Sequence, residues 1–425
     1  MKPKVAVIGA GPAGMCAAVA AAQNGWEVDL YDHNEKTGKK LFITGKGRCN
    51  LTNDRPIEDF FDQIVTNSKF MYASLYSFTN DQLKDMIEAA GCGLKTERGG
   101  RVFPRSDKSS DVLKAFNRLL SQNHVHVMLG THIAGLVLDR DRKVTGIRLG
   151  TGEIRDYDAV ILATGGVSYR STGSDGSGLR IAEKAGHTVT ELKPSLIGLD
   201  TKETWPGTLA GLTLKNVKLT LYRHAGGKRT KLYSELGEML FSHTGITGPL
   251  VLSASARIKG SPTQYEADID LKPGLTPEKL EARLLRDFSA AQNKELVNAL
   301  SGLLPSSLVP VVIEQAGLSP KQRVNSVTKE ERREMVQTLK ALPVHVAALG
   351  DINAAIITSG GIPVREIDPG TMRSKLVPGL SFAGEMIDVD AVTGGYNIQI
   401  ACSTGWLAGS SLERPDKGSD ADQAD

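Results

Sequence analysis

Lys4–Asp32 reads KVAVIGAGPAGMCAAVAAAQNGWEVDLYD, and this stretch decides the fold. Lys4–Ile8 is a short β-branched run of the kind that forms a buried strand. Gly9-Ala10-Gly11-Pro12-Ala13-Gly14 follows as a G-x-G-x-x-G turn. Met15–Gln23 is alanine-rich and reads as a helix, which Gly25 stops. Trp26–Tyr31 is a second strand, closed by Asp32. The glycines have separate tasks. Gly9 makes the tight turn, Gly11 lets a pyrophosphate approach the backbone, and Gly14 lets the helix pack on the strand. The helix start, including Ala13, then offers N–H groups and a positive dipole end to phosphates. Asp32 follows Gly9 by 23 positions, close to the spacing of a ribose-binding acid. Strand, turn, helix, strand and acid in this order predict dinucleotide binding.

Bulk properties agree with an ordinary globular chain. The 425 residues suffice for two or three domains, and 40% hydrophobic with 23% charged residues is soluble composition. A net charge of +3 neither demands nor excludes a nucleic-acid partner. Cys16, Cys49, Cys92 and Cys402 are scattered, with no C-x-x-C pair. That argues against a metal centre or a disulfide framework and fits a reducing cytoplasm. The N-terminus runs straight into the first strand, and no apolar stretch is long enough to span a bilayer, so no membrane association is expected.

Further along, His33–Asn53 is rich in Gly and Lys and reads as turns; Lys39, Lys40, Lys46 and Arg48 are candidates to meet phosphates or an anionic substrate. Lys95–Lys108 is a second basic loop around Gly99-Gly100. Asp81–Ala90 and Ser109–Leu120 read as helices, and His124–Leu129, His132–Leu138, Val144–Arg148 and Asp158–Ala163 as strands. Thr164-Gly165-Gly166 ends the last of these, where a sheet meets the ligand a second time. Gly173, Gly176 and Gly178 have no strand leading into them, so no second nucleotide fingerprint exists for a nicotinamide cofactor. The expected organisation is an α/β dinucleotide-binding domain over 1–191 and 347–412, an insert over 192–346, and a disordered tail over 413–425. The insert is expected to be β-rich over 192–275 and helical over 276–346. Near the end, Leu380–Ala383, Gly384-Glu385 and Thr393–Asn397 repeat the strand, glycine turn and helix-start pattern.

Four segments carry a family likeness: VIGAGPAG, TGKGRCNLTN, GEMLFSHTGITGP, and TSGGIP with FAGEMIDVDAVTGGYNIQIACSTG. Together they resemble the aminoacetone-oxidase-like (BaiN-type) family of bacterial FAD-dependent oxidoreductases, from Val5 to Gly409. The resemblance implies FAD and a Rossmann-like FAD-binding domain of the two-dinucleotide-binding-domain flavoprotein type, interrupted by a β-rich plus helical insert. It places Gly9, Gly11, Ala13, Gly14 and Asp32 on the ADP half, with Ile133 at the adenine by position. Lys40, Asn50, Thr164, Gly165, Gly384 and Glu385 are expected along the cofactor, and Gly394, Gly395, Tyr396 and Asn397 at the pyrimidine edge of the flavin. There the helix dipole would stabilise negative charge.

Three side chains are candidates for chemistry. Cys49, beside Arg48, is either a proton donor to a substrate carbon or a small packed side chain. His243 in FSHTG is either a substrate-facing group of the insert or a structural histidine. The expected activity is hydride transfer from NAD(P)H, a transient donor, through flavin to an unsaturated substrate. Family members are linked to bile-acid dehydroxylation and to dihydrouridine in large-subunit ribosomal RNA, so a small molecule and a 23S RNA uridine are both candidate substrates. An oxidase or dehydrogenase of a small molecule, or a non-catalytic flavin-containing RNA-binding protein, is the alternative. The spacing leaves oligomeric state open.

Overall fold

A computed structural model of the chain describes residues 2–413. It contains two compact units: one runs to Ser195 and resumes at Ile352, and the other spans Leu196–Asp351. The first unit is built on a parallel sheet of five strands in the order Leu380–Phe382, Ala159–Leu162, Lys4–Ile8, Glu27–Tyr31, His126–Met128. Lys4–Ile8 lies at its centre, with Val5 opposite Ala159 and Val28. All strand carboxyl ends therefore share one edge, where ligands of open α/β sheets bind.

The opening helix, Pro12–Gln23, buries nine of its twelve residues because it is covered on two sides. Beneath it is the sheet; against it lies the closing helix, Tyr396–Ser410. A Cβ on Gly405 would overlap the carbonyl of Ala13, and one on Gly409 would overlap that of Ala17. The 13-to-17 and 405-to-409 contacts run in the same sense, so the helices are parallel. The closing helix begins nine residues before Gly405 and the opening helix one before Ala13, a lead of about 12 Å for the closing helix.

The second unit is a closed six-stranded barrel. Around it run Leu199–Thr201, Gly245–Thr247, Lys228–Phe241, Thr213–Ala225, Tyr265–Asp270 and Leu342–Leu349. Inward residues such as Leu219, Leu221, Phe241, Ile269 and Val344 fill it. Helices Pro277–Ser289, Leu308–Gln315 and Lys329–Lys340 add to the same core.

Several expectations change. The insert's bounds move to 196 and 351, because Lys193–Ser195 pairs with Ile357–Ser359 inside the first unit. Leu342–Leu349, which runs across the expected end of the helical part at 346, is the strand that closes the barrel; its Leu342, Val344 and Val346 alternate inward. The basic stretch after Leu94 is a hairpin, Leu94–Glu97 with Arg101–Pro104, rather than a loop. Within the turn-rich segment after Asp32, Lys39–Gly47 is helical apart from Thr44, Gly45 and Lys46. Of the expected tail, Glu413 pairs with Arg373 at 2.7 Å; residues 414–425 lie outside the described residues. No helix among the described residues is long and apolar enough to cross a membrane.

Gly409→Val forces a branched side chain into the backbone of the opening helix. It should destabilise the chain by about 3 kcal/mol or more in denaturant unfolding, whereas Ser410→Ala at the next position should have little effect.

Candidate functional site

Gly9 has φ +107, and a Cβ there would press on Ala163 and Thr164. A Cβ on Gly14 would overlap the Gly9 carbonyl. These two glycines are dictated by packing. Gly11 differs: its backbone is extended (φ −79, ψ −176), and nothing lies within 4 Å of where its Cβ would be. The room above it is therefore not used by the fold. No side chain caps the opening helix, and the N–H groups of Ala13 and Gly14 have no acceptor within it. An uncapped helix start over open space is a cradle for a diphosphate. Asp32 is oriented beside it, accepting from Ala10 N at 2.8 Å and from Asn34 N at 2.8 Å. Asp32 O also accepts from Thr131 N at 3.0 Å, which brings Ile133, buried at the start of the Ile133–Leu138 strand, to the same corner.

The second cradle starts the closing helix. Gly395 (φ +98) is its N-cap, and a Cβ there would overlap the Thr52 carbonyl. Gly394 has φ +133, and its carbonyl accepts from Asn53 Nδ2 at 3.0 Å. With its amide oriented to suit its neighbours, Asn50 accepts from Gly395 N at 3.1 Å. Asn397 accepts from Ala391 N at 2.9 Å and donates to Ala391 O at 2.8 Å. Tyr396 is buried, its ring edge-on to Phe60 at 5.0 Å. Asn50, Tyr396 and Asn397 thus hold the turn in shape with their side chains; what this cradle offers a ligand is backbone.

Between the cradles lies a polar knot. Glu385 accepts from Thr358 N at 2.7 Å, from Ser168 Oγ at 3.2 Å and from Lys40 Nζ at 2.9 Å. Lys40 Nζ also donates to Ser168 Oγ at 2.8 Å. Gly165, at φ +78, would bring a Cβ to 3.9 Å from Glu385, and Thr164 N donates to Met386 Sδ at 3.3 Å. Gly384, adjacent to Glu385, has φ +74 and accepts no side chain because Ala13 is in the way, 2.8 Å from its would-be Cβ. The fold therefore brings together Lys40, Thr164, Gly165, Gly384 and Glu385. Ser168 and Thr358 belong to the same knot and were not expected. Thr358 opens the conspicuous TSGG, but Ser168 carries no local signal.

The expected catalytic set is not assembled. Cys49 is fully buried, with no atom open to a substrate, and burial pushes its thiol up to about 12, which keeps it an uncharged thiol near neutral pH. Its backbone is left-handed (φ +60), as are Gly45, Lys46 and Gly47, with right-handed Arg48 (φ −95) between, and Cys49 N is bonded to Thr44 O at 3.0 Å. Arg48 is tied to Glu97 and Asp107 and lies over the Phe103 ring at 4.1 Å. Those two carboxylates hold its guanidinium above its ordinary value. His243 is exposed and belongs to the other unit, in the turn between Lys228–Phe241 and Gly245–Thr247.

Because the space over Gly11 is free, Gly11→Val should fold normally and purify without flavin absorbance, whereas Gly14→Val should fail to fold. Circular dichroism beside the visible spectrum separates the two outcomes. Cys49→Ala should keep both flavin and turnover, and the native Cys49 thiol should resist thiol reagents that label it at once in denaturant.

The family model described as HI0933-like protein Rossmann domain matches residues 3–411. The chain is 30% identical over 422 residues to the 3-dehydro-bile acid delta(4,6)-reductase of Clostridium scindens, covering 97% of this chain and 100% of that protein. It is 28% identical over 407 residues to the ribosomal RNA dihydrouridine synthase of Escherichia coli, covering 96% and 97%. Among solved structures, a 3-ketosteroid-delta4-(5alpha)-dehydrogenase from Rhodococcus jostii RHA1 superposes with a TM-score of 0.53 at 15% identity over 96% of each chain, a likeness of fold. On the match across nearly its whole length, the chain belongs to the HI0933-like family of FAD-dependent oxidoreductases.

Proposed function

We propose that this enzyme reduces a carbon–carbon double bond conjugated to a carbonyl, taking hydride from NAD(P)H, with a uridine of 23S ribosomal RNA as the candidate substrate. One observation carries the reading. The chain matches a delta(4,6)-reductase and a dihydrouridine synthase over 100% and 97% of their lengths, and both names describe saturation of such a bond. Uridine's C5–C6 bond is conjugated to its C4 carbonyl; hydride goes to C6 and a proton to C5. FAD supplies the two-electron relay between nicotinamide and substrate. Gly9, Gly11, Ala13, Gly14 and Asp32 would hold its ADP half, and Gly384, Glu385 and Lys40 its middle. The start of the closing helix would stabilise negative charge on the ring. With Cys49 buried and Arg48 bound to two acids, neither side chain of that pair is free to deliver the proton.

Part of the basic charge of Lys39–Arg48 and Lys95–Lys108 is paired within the fold, Lys40 with Glu385, Lys95 with Asp107 at 2.6 Å, and Arg48 with both Glu97 and Asp107, while Lys46, Arg98, Arg105 and Lys108 are exposed. The insert's hairpin tip also carries cations, exposed Lys228 and Lys231 beside Arg229, which stacks on Tyr222 at 3.5 Å. RNA contact is assigned there.

Mass spectrometry of ribosomal RNA nucleosides from cells with and without the gene tests the substrate: loss of dihydrouridine on deletion is the expected result. An unchanged level rules out ribosomal uridine, and turnover of an enone then tests the reductase class separately. Anaerobic NADPH should bleach the flavin band. In RNA binding, Lys228→Glu with Lys231→Glu should lower the salt slope by about two.

A further inference from the structure

On the first unit, three aromatic rings gather at the surface. Tyr72 and Tyr76 stand one turn apart on the short helix Tyr72–Ser77, which buries Ser74 and Leu75 on its other side. Tyr72 is 63% exposed and Tyr76 41%. Phe61 stacks on Tyr72 at 5.6 Å and on Tyr76 at 6.1 Å, and the two tyrosines are 4.8 Å apart. Phe61 is half-buried against the core, so the cluster is anchored. The Ile57–Ser77 stretch carries Glu58, Asp59 and Asp62 against a single cation, Lys69. Asp59 and Asp62 are exposed, and Glu58 accepts from the Tyr76 hydroxyl at 3.3 Å.

Open ring faces beside carboxylates suit a planar cation. A guanidinium stacks on aromatic faces while its edge donates to carboxylates. This chain uses the same chemistry internally, with Arg48 over Phe103 and Arg229 over Tyr222. The charge disfavours the other occupants. Nucleic acid stacks on aromatic platforms that are flanked by cations, and here the flanks would repel phosphates. A second copy docking through the same patch would set acid against acid across a two-fold axis. We propose that the Phe61–Tyr72–Tyr76 cluster with its carboxylate rim docks an arginine-rich segment of a partner protein.

The test uses the flavin-loaded full chain and three fluorescent probes: a nona-arginine peptide, a nona-lysine peptide and a nine-nucleotide oligouridylate. Nona-arginine should bind more tightly than nona-lysine. Tyr72→Ala with Tyr76→Ala should weaken nona-arginine about tenfold while leaving oligouridylate binding, flavin absorbance and sedimentation unchanged. Equal nona-arginine affinity in the two proteins overturns the proposal. So does loss of oligouridylate binding, which would make the rings a base-stacking platform, or a shift in sedimentation, which would make them a self-interface. Should the double variant not fold, Asp59→Asn with Asp62→Asn replaces it. Weaker nona-arginine binding then supports the proposal, and unchanged binding overturns it.

Discussion

The first unit depends on one intimate contact, the parallel apposition of the opening and closing helices through residues with almost no side chain. Alanines at 13 and 17 face glycines at 405 and 409, so backbone meets backbone. Larger residues at these four positions would hold the helices apart. That closeness sets where the two helix starts lie relative to each other, because two parallel rods in tight register cannot slide independently. The roughly 12 Å lead of the closing helix follows from the register alone. A staggered pair of positive helix ends suits one elongated ligand with electron-rich groups at separate points.

From this follows a division of labour within the site. The ligand-facing surface is mostly main chain, while conspicuous side chains act as braces behind it. Asn50, Asn53 and Asn397 all spend their amides on neighbouring backbone around Gly394 and Gly395. Glu385 is the main exception. Its carboxylate is drawn on by Lys40, Ser168 and the Thr358 amide, a half-buried ion pair that would be costly to leave with one member. Such an ordered, already satisfied acid can exchange one donor for a ligand hydroxyl without rebuilding its surroundings.

The parts legible in the sequence were those whose cause is local. A strand, a glycine turn and a helix within thirty residues leave a readable trace, and the central sheet, the opening helix and Asp32 were all found that way. The Gly384-Glu385 and Gly394-Gly395 turns were found through pattern and resemblance together. What escaped depends on distant partners. Cys49 looks reactive beside Arg48, but tertiary packing buries the thiol, and Glu97 of a distant hairpin and Asp107 just after it claim the arginine. Ser168 has no motif; only the fold places it against Lys40. Leu342–Leu349 does alternate, yet it follows a charged helix directly, which masks its start in the sequence.

The placement of the closing helix has a consequence for biosynthesis. The strand that completes the sheet and the helix that covers Ala13 and Ala17 both come after the entire barrel unit in chain order. On a translating ribosome, the alanine-rich face of the opening helix therefore waits uncovered while roughly 370 further residues are made, on the order of twenty seconds or more. Flavin loading is correspondingly a late event, and a chain interrupted before the closing helix would carry half a grip and an exposed apolar face.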